Sequence, residues 1–478
     1  MAKYYITTTA PYVNAKPHVG FAMEIIRADV LARYHRALGD EVFFNTGTDE
    51  HGKKIYEKAL AEHKDPQAYT DFYAAKFDDL RKALNLSYDS FWRTTSPEHI
   101  AAAQEMWRRV DAAGYIKKGI YKAKYCVGCE LEKQDSELVD GRCPLHPNKE
   151  LELIEEENYF FLFSKLREKL LAHYDRYPDF VMPEHRQKEI RGFVEAGLAD
   201  FSISRQAAKM PWGVPVPNDP TQVLYVWFDA LTYYVSALGW PEETKKFEEF
   251  WGTAEKPNAI QVCGKDNLRQ QTAMWQAMLL AANLPPSRQV FVGGFITSGG
   301  QKMSKSLGNV IDPIEYVARY GTDALRYYLL AKINPYDDSD MTEEKFQKEY
   351  QADLANGLGN LVARVAAMAA NTDARFEKRD SSISTRVAEA LGQYRFDEAM
   401  GDIWERVKKA DQEISEKRVW ELEASSKQLA ISNLVGTIRQ IAVDLAPFMP
   451  ETAEKVRVQF ASEKIEKAAP LFPRLALK

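Results

Sequence analysis

The sequence contains few cysteines, no long apolar run and no N-terminal leader pattern. Only 4 of the 478 residues are cysteine, which excludes a fold held together by a disulfide framework. No run of about eighteen apolar residues occurs, so we expect no membrane span. The stretch MAKYYITTTAPYVNAKPHVG lacks the apolar segment and the cleavage site of a signal peptide. These absences favour a cytoplasmic location.

The chain also lacks a basic excess, an internal repeat and a low-complexity tract. Its net charge is −6 and its pI is near 5.9, whereas domains that bind polyanions in general are usually basic. Any contact with nucleic acid must therefore come from local basic patches. The 45% hydrophobic and 12% aromatic content suffices for packed cores. The length predicts about three or four folding units.

The N-terminal third reads as the start of a doubly wound α/β domain. YYITTTA (4–10) and EVFFNTGT (41–48) are strand candidates. Between them, apolar residues recur at Met23, Ile26 and Val30, which is helical spacing. The order strand, loop, helix, strand is typical of this class. Later strand candidates of the same kind are VLYVWFDA, NAIQVCG and RQVFVGGF.

Two other regions have a different character. Residues 116–222 hold a cysteine cluster, the aromatic run ENYFFLF and the proline-rich run MPWGVPVPNDP, which predicts an insertion that splits the α/β domain. From about residue 352 onward, the segments DLANGLGNLVARVAAMAA, FDEAMGDIWERVKKADQEI and SKQLAISNLVGTIRQIAVDL each carry an apolar stripe. These segments predict a C-terminal helical bundle.

The cysteine cluster has the spacing of a metal site. Cys126 and Cys129 form one pair, and Cys143 and His146 form a second. Two such pairs can close a tetrahedron around one zinc ion. A set of reduced surface cysteines is the alternative, but it leaves the paired spacing unexplained. Since the protein supplies all four ligands, the zinc is expected to be structural. We expect Cys263 to be a buried, small apolar residue.

Two short segments have the chemistry of a phosphate site. His18 and Gly20 open the first predicted helix, where free N–H groups and the helix dipole favour anions. Gly20 has no side chain, so a flat ring can pack against the backbone there. GGQKMSKSLGN (299–309) places Lys302 and Lys305 in a pliable frame. A capping histidine and a solvated turn are the alternatives, but together the two segments could clamp a triphosphate.

PHVGF and KMSKS resemble the two signatures of the class I aminoacyl-tRNA synthetases. The resemblance runs nearly end to end, and the sequence is most similar to the methionyl-tRNA synthetases of the bacterial type with one zinc knot. The stretches that carry it are TAPYVNAKPHVG, NTGTDEHG, YVWFDALTYY, GKDN, KMSKSLGNVIDP, GTDALRYYLL, LANGLGNLVAR and LAPFMP.

This resemblance implies a Rossmann-like α/β catalytic domain that is split by a zinc-binding insertion. A stem-contact segment and an all-α anticodon-binding bundle follow it. The expected boundaries are 1–115 for the first catalytic half, 116–222 for the insertion with the zinc knot, 223–294 for the second half, 295–348 for the KMSKS loop and stem-contact segment, and 349–478 for the bundle.

The implied activity is methionine–tRNA ligation. Methionine reacts with Mg·ATP to give methionyl adenylate and pyrophosphate, and the methionyl group passes to the 3′ end of methionine tRNA, initiator or elongator. No protein nucleophile is needed, because catalysis rests on positioning and charge stabilisation. The implied catalytic residues are His18, Lys302 and Lys305. The implied ATP-binding residues are His18, Gly20, Glu24, Gly264, Asp266, Ile296, Lys302, Ser304 and Lys305.

The resemblance also implies a methionine site and an anticodon site. The methionine-binding residues are Ala10, Tyr12, Asp49, Arg205, Trp227, Ala230, Leu231, Tyr234 and Gln271. Asp49 would bind the substrate ammonium, and aromatic walls suit a thioether. Ordinary core packing is the alternative for Trp227 and Tyr234. The anticodon-binding residues are Asn356, Asn360, Arg364 and Trp420, for which an exposed polar stripe is the alternative. The chain stops soon after LAPFMP, so we expect a monomer.

Three histidines of the family pattern are replaced. Phe21 ends the first signature, Gln270 and Gln271 stand where Phe-His is usual, and Gly293-Gly294 replaces His-Gly. Phe21 cannot donate a hydrogen bond, whereas Gln271 can still donate and accept. These replacements raise the hypothesis of a catalytically silent tRNA-binding protein, which the intact KMSKS segment opposes. A ligase for leucine would need a larger insertion, and one for cysteine would favour zinc at the active centre.

Overall fold

The computed structural model describes residues 1–129, 131–133, 137–303, 308–372, 375–376 and 381–475. The chain forms two compact units. The first unit comprises Met1–Pro17, Gly39–Asp79 and Tyr88–Val292, and the second comprises His18–Leu38, Leu80–Ser87 and Gly293–Lys478.

A six-stranded sheet forms the centre of the first unit. Its strand order is Ser90–Arg93, Glu41–Thr48, Lys3–Thr8, Ala259–Gly264, Gln289–Gly293 and Val181–Met182. Lys3–Thr8 runs parallel to both of its neighbours, with Tyr5 opposite Phe43 on one side and Ala259 on the other. The predicted strands in YYITTTA, EVFFNTGT, NAIQVCG and RQVFVGGF are therefore present. Parallel strands place their carboxyl ends on one edge, where ligands bind in such folds.

The prediction that VLYVWFDA is a strand of this sheet is wrong. The strand Asp219–Leu224 ends before most of that stretch and pairs antiparallel with Ser204–Gln206. Val226–Ala230 is helical. An apolar run of this length fits a strand and a buried helix equally well. The helical turn here directs the one charged residue of the run, Asp229, to buried partners.

The insertion contributes two small sheets. The strands Leu131–Lys133, Ile116–Cys126, Glu152–Phe161 and Phe201–Ser202 form one, and Pro215–Val216, Asp219–Leu224 and Ser204–Gln206 form the other. The long hairpin of Ile116–Cys126 with Glu152–Phe161 carries the cysteine cluster at its far end. Val181–Met182 also falls within 116–222, so part of that range belongs to the main sheet.

Helices surround these sheets in the first unit. They are Lys53–Ala61, Pro66–Ala83 (whose last turn belongs to the second unit), Pro97–Ala112, Arg167–Arg176, Glu184–Glu195, Val226–Ala230, Tyr233–Ser236, Thr244–Phe250 and Trp275–Ala281. Short 3-10 turns cover Phe163–Leu166 and Lys265–Asn267, and Gln270–Met274 is π-helical.

The second unit is mainly helical, as the sequence predicts. Its helices are Val19–Ala37, Pro313–Tyr320, Thr322–Ala331, Glu343–Glu349, Asn360–Ala370, Thr385–Gly392, Phe396–Glu416, Ala424–Leu445 and Pro450–Gln459, with a π-helical segment at Tyr350–Gly359 and a 3-10 turn at Val419–Glu421. A small sheet has the order Gln301–Lys302, Ile296–Ser298 and Ser339–Asp340. No described helix combines the length and hydropathy of a membrane span.

A buried ion pair lies in the core of the second unit. Arg326 and Asp29 are fully buried, with 2.8 Å between Nη1 and Oδ2. The same guanidinium donates to the carbonyls of Leu84, Pro447 and Phe448 at 2.7 to 3.1 Å. A buried charge pair is stable only with such additional hydrogen bonds. This contact joins the first helix of the unit to the LAPFMP segment.

Candidate active site

Three predicted methionine-binding residues follow the carboxyl ends of two adjacent strands in the first unit. Ala10 and Tyr12 come after Lys3–Thr8, and Asp49 comes directly after Glu41–Thr48. Tyr12 and Asp49 form a parallel bridge. The Asp49 amide donates to Pro11 O at 3.0 Å, and its carbonyl accepts from Val13 N at 3.1 Å. The backbone thus fixes Tyr12 and Asp49 side by side.

The loop that carries Asp49 is braced by its neighbour Glu50, which sequence reasoning missed. Glu50 is fully buried, and its carboxylate accepts from Arg93 Nε at 2.7 Å and from Arg93 Nη2 at 2.8 Å. Thr48 and Thr95 also donate to it, at 2.6 and 2.5 Å. This density of charge-assisted bonds holds the loop rigid. The sequence signal that could have identified Glu50 is its position as an acidic residue inside the GTDEHG motif.

The predicted aromatic and aliphatic walls share one apolar cluster in the first unit. Leu231 and Tyr234 are buried in it, and the partly buried Ala10 and Trp227 pack against it. Ala230 is also buried, on the same short helix as Trp227. Core packing therefore describes Tyr234, whereas Trp227 packs at the margin of the cluster.

Gln271 is hydrogen-bonded to Tyr234. Its Nε2 donates to Tyr234 Oη at 2.5 Å, and its Oε1 accepts from Gln261 Nε2 at 3.0 Å. Gln261 in turn accepts from Ser287 Oγ at 2.5 Å. The family's histidine is therefore replaced by an amide chain whose members do not titrate near neutral pH.

Arg205 lines a cavity of about 360 Å³ in the first unit. Its guanidinium carbon lies 4.5 Å from the ring centre of Tyr225 and 5.5 Å from that of Tyr125. Its Nη1 donates to Ser202 Oγ at 2.8 Å. Gly52 of the GTDEHG motif lines the same cavity. Arg205 is thus placed beside the segments that carry Asp49 and Trp227.

A second unpredicted feature is a chain of four buried side chains, which we call the acid–imidazole chain: His51, Asp229, His99 and Ser236. Asp229 accepts from His51 Nδ1 at 2.7 Å and from His99 Nε2 at 2.8 Å. His99 Nδ1 lies 2.9 Å from Ser236 Oγ. Burial alone would raise the pKa of Asp229, but attraction to the two histidines and their hydrogen bonds lower it to about 2.

In the second unit, His18 caps the helix Val19–Ala37. Its Nδ1 accepts from Gly20 N at 3.0 Å, so the capping interpretation of this residue is correct for this conformation. A Cβ on Gly20 would lie 2.8 Å from His18 Cε1. The flat ring that packs on Gly20 here is thus the imidazole of His18.

The same helix start contacts the stretch KMSKSLGNVIDP (302–313), which we call the KMSKS segment. Val19 N donates to Ile311 O at 3.0 Å, and Met303 Cε lies 4.0 Å from the position of a Cβ on Gly20. Lys302 is exposed on the short strand Gln301–Lys302, with Nζ 5.3 Å from the ring centre of Phe295. Ser304 and Lys305 lie outside the described residues.

The remaining predicted ATP-binding residues divide between the units. Glu24 is half-buried in the helix Val19–Ala37, and Ile296 is buried in its strand of the second unit. Gly264 ends the strand Ala259–Gly264 of the first unit, and Asp266 is exposed in the turn that follows. Phe21 is half-buried, one residue after Gly20.

The four residues of the cysteine cluster lie close enough together to share one metal ion. The ligand atoms of Cys126, Cys129, Cys143 and His146 all lie within 4.8 Å of one another. Cys129 Sγ lies 3.5 Å from Cys143 Sγ and 3.2 Å from His146 Nδ1. Zinc ligands at tetrahedral bond lengths are separated by about 3.5 Å. A Cβ on Gly128 would meet the His146 ring at 2.5 Å, so the turn requires glycine. The cluster could hold one metal ion.

The predicted anticodon residues lie in the second unit. Asn356 is exposed on the π-helical segment, whereas Asn360 and Arg364 are half-buried on the helix Asn360–Ala370. On a continuous α-helix the spacing of four residues would place Asn356, Asn360 and Arg364 on one face. Asn356 lies instead in a π-helical segment, whose wider turn changes its direction relative to the other two. Arg364 pairs with Asp411 at 2.5 Å, on the helix that leads to the turn of Trp420. The side chain of Trp420 is 48% exposed.

The fold and the paired signatures define the class of this protein. A family model described as "tRNA synthetases class I (M)" matches residues 4–153 and 134–366. With a parallel sheet and a helix start bonded to the KMSKS segment, the protein is a class I aminoacyl-tRNA synthetase, which is a ligase.

Known proteins narrow the class to one family. The chain is 42% identical to the methionine–tRNA ligase of Thermosynechococcus vestitus, over 95% of this chain and 89% of that protein. It is 39% identical to that of Thermotoga maritima, over 96% and 75%. The structure of Mycobacterium tuberculosis methionyl-tRNA synthetase in complex with methionyl-adenylate matches with a TM-score of 0.90 and 34% identity, over 99% of this chain and 100% of that one. The chain belongs to the methionyl-tRNA synthetase family, as the sequence predicted.

Proposed function

We propose that this protein charges methionine tRNA with methionine in two steps. A carboxylate oxygen of methionine attacks the α-phosphorus of ATP, the bond from that phosphorus to the bridging oxygen breaks, and pyrophosphate leaves. The ribose hydroxyl at the 3′ end of the tRNA then displaces AMP from the carbonyl carbon. The observation that supports this proposal is the contact of the helix start at His18–Gly20 with the KMSKS segment.

The ATP roles rest on charge and position. Lys302 is exposed, and the side chain of the next residue, Met303, approaches Gly20. We therefore assign the Lys302 ammonium to the β- and γ-phosphates, and we assign Lys305 and Ser304 the same role from the sequence. His18 and Gly20 would contact the phosphates, since a helix N-terminus favours anions. The residues assigned to the adenosine end are Glu24, Gly264, Asp266 and Ile296. Mg²⁺, which binds with ATP, offsets the phosphate charge.

The methionine roles rest on the residues gathered around the sheet's carboxyl edge. Asp49 is 6% exposed, and a buried carboxylate is stabilised by a cation such as the substrate ammonium. Tyr12 and Trp227 offer aromatic surface to a thioether. The residues that complete this proposed site are Ala10, Arg205, Ala230, Leu231, Tyr234 and Gln271.

The other parts are assigned to metal and tRNA. Three thiolates and one imidazole within 4.8 Å suit a single structural zinc ion. The exposed ring of Trp420 suits stacking on an unpaired base, and amide or guanidinium groups suit base edges; Asn356, Asn360 and Arg364 are the candidates. The monomeric state stays a prediction from the sequence, which sedimentation tests.

The decisive experiment is methionine-dependent exchange of labelled pyrophosphate into ATP, with zinc and magnesium present. We expect exchange with methionine and none with leucine or cysteine. Exchange with leucine or cysteine instead would overturn the substrate assignment. Exchange absent for all three, with tRNA binding intact, would favour a silent tRNA-binding protein.

A further inference from the structure

The acid–imidazole chain joins the segments that carry the proposed methionine-binding residues. Each of its members His51, Asp229 and Ser236 lies within two residues in sequence of at least one such residue. The neighbours are Asp49 for His51, Trp227, Ala230 and Leu231 for Asp229, and Tyr234 for Ser236. The four side chains of the acid–imidazole chain are buried, with exposed fractions of 0 to 4%.

His99 connects this chain to a long helix of the first unit. It lies in the first turn of Pro97–Ala112, where Ser96 Oγ accepts from the His99 amide. Its two ring nitrogens face Asp229 Oδ1 and Ser236 Oγ. Ser236 also accepts from Trp92 Nε1 at 3.0 Å, at the end of the neighbouring strand. The chain is therefore anchored at a helix and at the main sheet.

The helix that carries Trp227 depends on such anchoring. Val226–Ala230 has five residues and no side-chain cap, and helices of that length are not stable on their own. Asp229 is its only charged residue. Both of its carboxylate oxygens are occupied, one by each histidine, so the helix is held from two sides.

Resting on the proposed function, we propose that Asp229 is a positioning residue for the substrate methionine. Through His51 it fixes the distance between the ammonium site at Asp49 and the wall formed by Trp227. Through His99 and Ser236 it fixes the turn that presents Tyr234. Asp229 does not touch the substrate in this scheme, and it acts only through the spacing of the residues that do.

An amide at this position cannot reproduce the chain. A carboxylate accepts on both oxygens, whereas asparagine offers one acceptor and one donor group. One imidazole N–H in Asp229→Asn would therefore face an NH₂ group. Loss of a hydrogen bond to a charged group in a buried site corresponds to a change of about ten- to a hundredfold in an equilibrium constant.

The test compares KM for methionine and KM for ATP in pyrophosphate exchange. For Asp229→Asn we expect KM for methionine to rise about ten- to a hundredfold, while KM for ATP stays near the wild-type value. A folded Asp229→Asn protein with wild-type KM for methionine would overturn the inference alone. Absence of exchange in the wild type would overturn the proposed function and the inference with it.

Asp444→Asn is the matched control. Asp444 is also fully buried, and it accepts from Arg406 Nη1 at 2.5 Å and from Ser384 N at 2.7 Å in the second unit. This variant should lose stability as Asp229→Asn does, while KM for methionine stays unchanged. An equal rise of KM in both variants would show a general effect of lost stability and would overturn the inference.

A second pair keeps the test informative if Asp229→Asn does not fold. His51→Asn retains a donor near the position of Nδ1, and His51→Leu removes it. We expect KM for methionine to rise in His51→Leu and to stay within about threefold of wild type in His51→Asn. Equal KM values in the two variants would overturn the inference.

Discussion

Lys302 stands out at the residue scale because it is an exposed cation one residue before Met303, whose side chain approaches Gly20. We expect Lys302→Ala to slow adenylate formation by about ten- to a hundredfold, since one charge-assisted contact to the leaving pyrophosphate is lost. Methionine affinity, measured by calorimetry without ATP, should not change. Lys345→Ala is the control, because Lys345 is ion-paired with Asp340 in the same unit. A large loss of methionine affinity in Lys302→Ala would remove this lysine from the phosphate role.

Candidate site residues were predicted where they belong to a motif, and they were missed where only tertiary contacts bring them together. The sequence places His18 and Asp49 in quoted motifs, and the structure shows what surrounds each. The sequence alone could not show that Asp229 is hydrogen-bonded to two histidines, because His51 and His99 lie in separate segments. A lone acidic residue in the apolar run YVWFDALTYY was the signal, since buried charges are almost always paired.

At the element scale, the hairpin with the cysteine cluster makes a testable claim. Metal analysis of purified protein should find one zinc ion per chain, and removal by a chelator should expose this hairpin to protease, because the metal closes its end. Cys129→Ser should lose the metal, whereas Cys263→Ser should keep it, since Cys263 is buried away from the cluster. A zinc content near zero in the wild-type protein would contradict the assignment.

The second prediction at this scale concerns the turn Val419–Glu421, which contains Trp420. Trp420→Ala should raise KM for tRNA in charging by about ten- to a hundredfold, because stacking on one base contributes about 1–3 kcal/mol. Pyrophosphate exchange should not change. Phe72→Ala is a matched control, since Phe72 and Trp420 are both 48% exposed. An unchanged KM for tRNA in Trp420→Ala would exclude the stacking role.

Helices and strands could be predicted where the apolar periodicity extends over many residues, and their type was ambiguous where the apolar run is short. The helices Phe396–Glu416 and Ala424–Leu445 follow from their apolar stripes. The short run around Val226–Ala230 does not reveal its type, because hydrogen bonds from distant residues select the helix. Lys302 likewise lies in a two-residue strand that pairs with Thr297 and Ser298, although the glycine-rich sequence suggests an irregular loop.

At the scale of the whole molecule, buried carboxylates control stability against acid. Burial alone would raise the pKa of Asp29, but Arg326, Arg33 and Ser87 outweigh it and lower that pKa. A lowered pKa stabilises the folded protein above the unfolded value near 3.8, and this contribution is lost as the pH falls below that value. Asp229, with a pKa of about 2, acts in the same direction.

We therefore expect Asp29→Asn to lower the free energy of unfolding at pH 7 by about 3–5 kcal/mol, because it leaves Arg326 buried without its counter-ion. The loss relative to wild type should shrink as the pH falls below the unfolded value near 3.8, because the stabilising contribution of the wild-type carboxylate is lost there. Urea unfolding at several pH values measures both effects. Asp175→Asn is the control, since its pair with Arg191 is exposed and exposed ion pairs contribute little to stability. An unchanged free energy in Asp29→Asn would contradict the role of this pair.

The hydrogen bonds from Arg326 to Pro447 and Phe448 also determine when the core of the second unit can form during translation. The ribosome releases helix Val19–Ala37 early, with Asp29 on it, and Arg326 emerges some three hundred residues later. Its guanidinium then lacks two of its carbonyl partners until Pro447 and Phe448 have been synthesised. A stalled product that ends before Pro447 therefore presents an unfinished core of the second unit to chaperones and proteases.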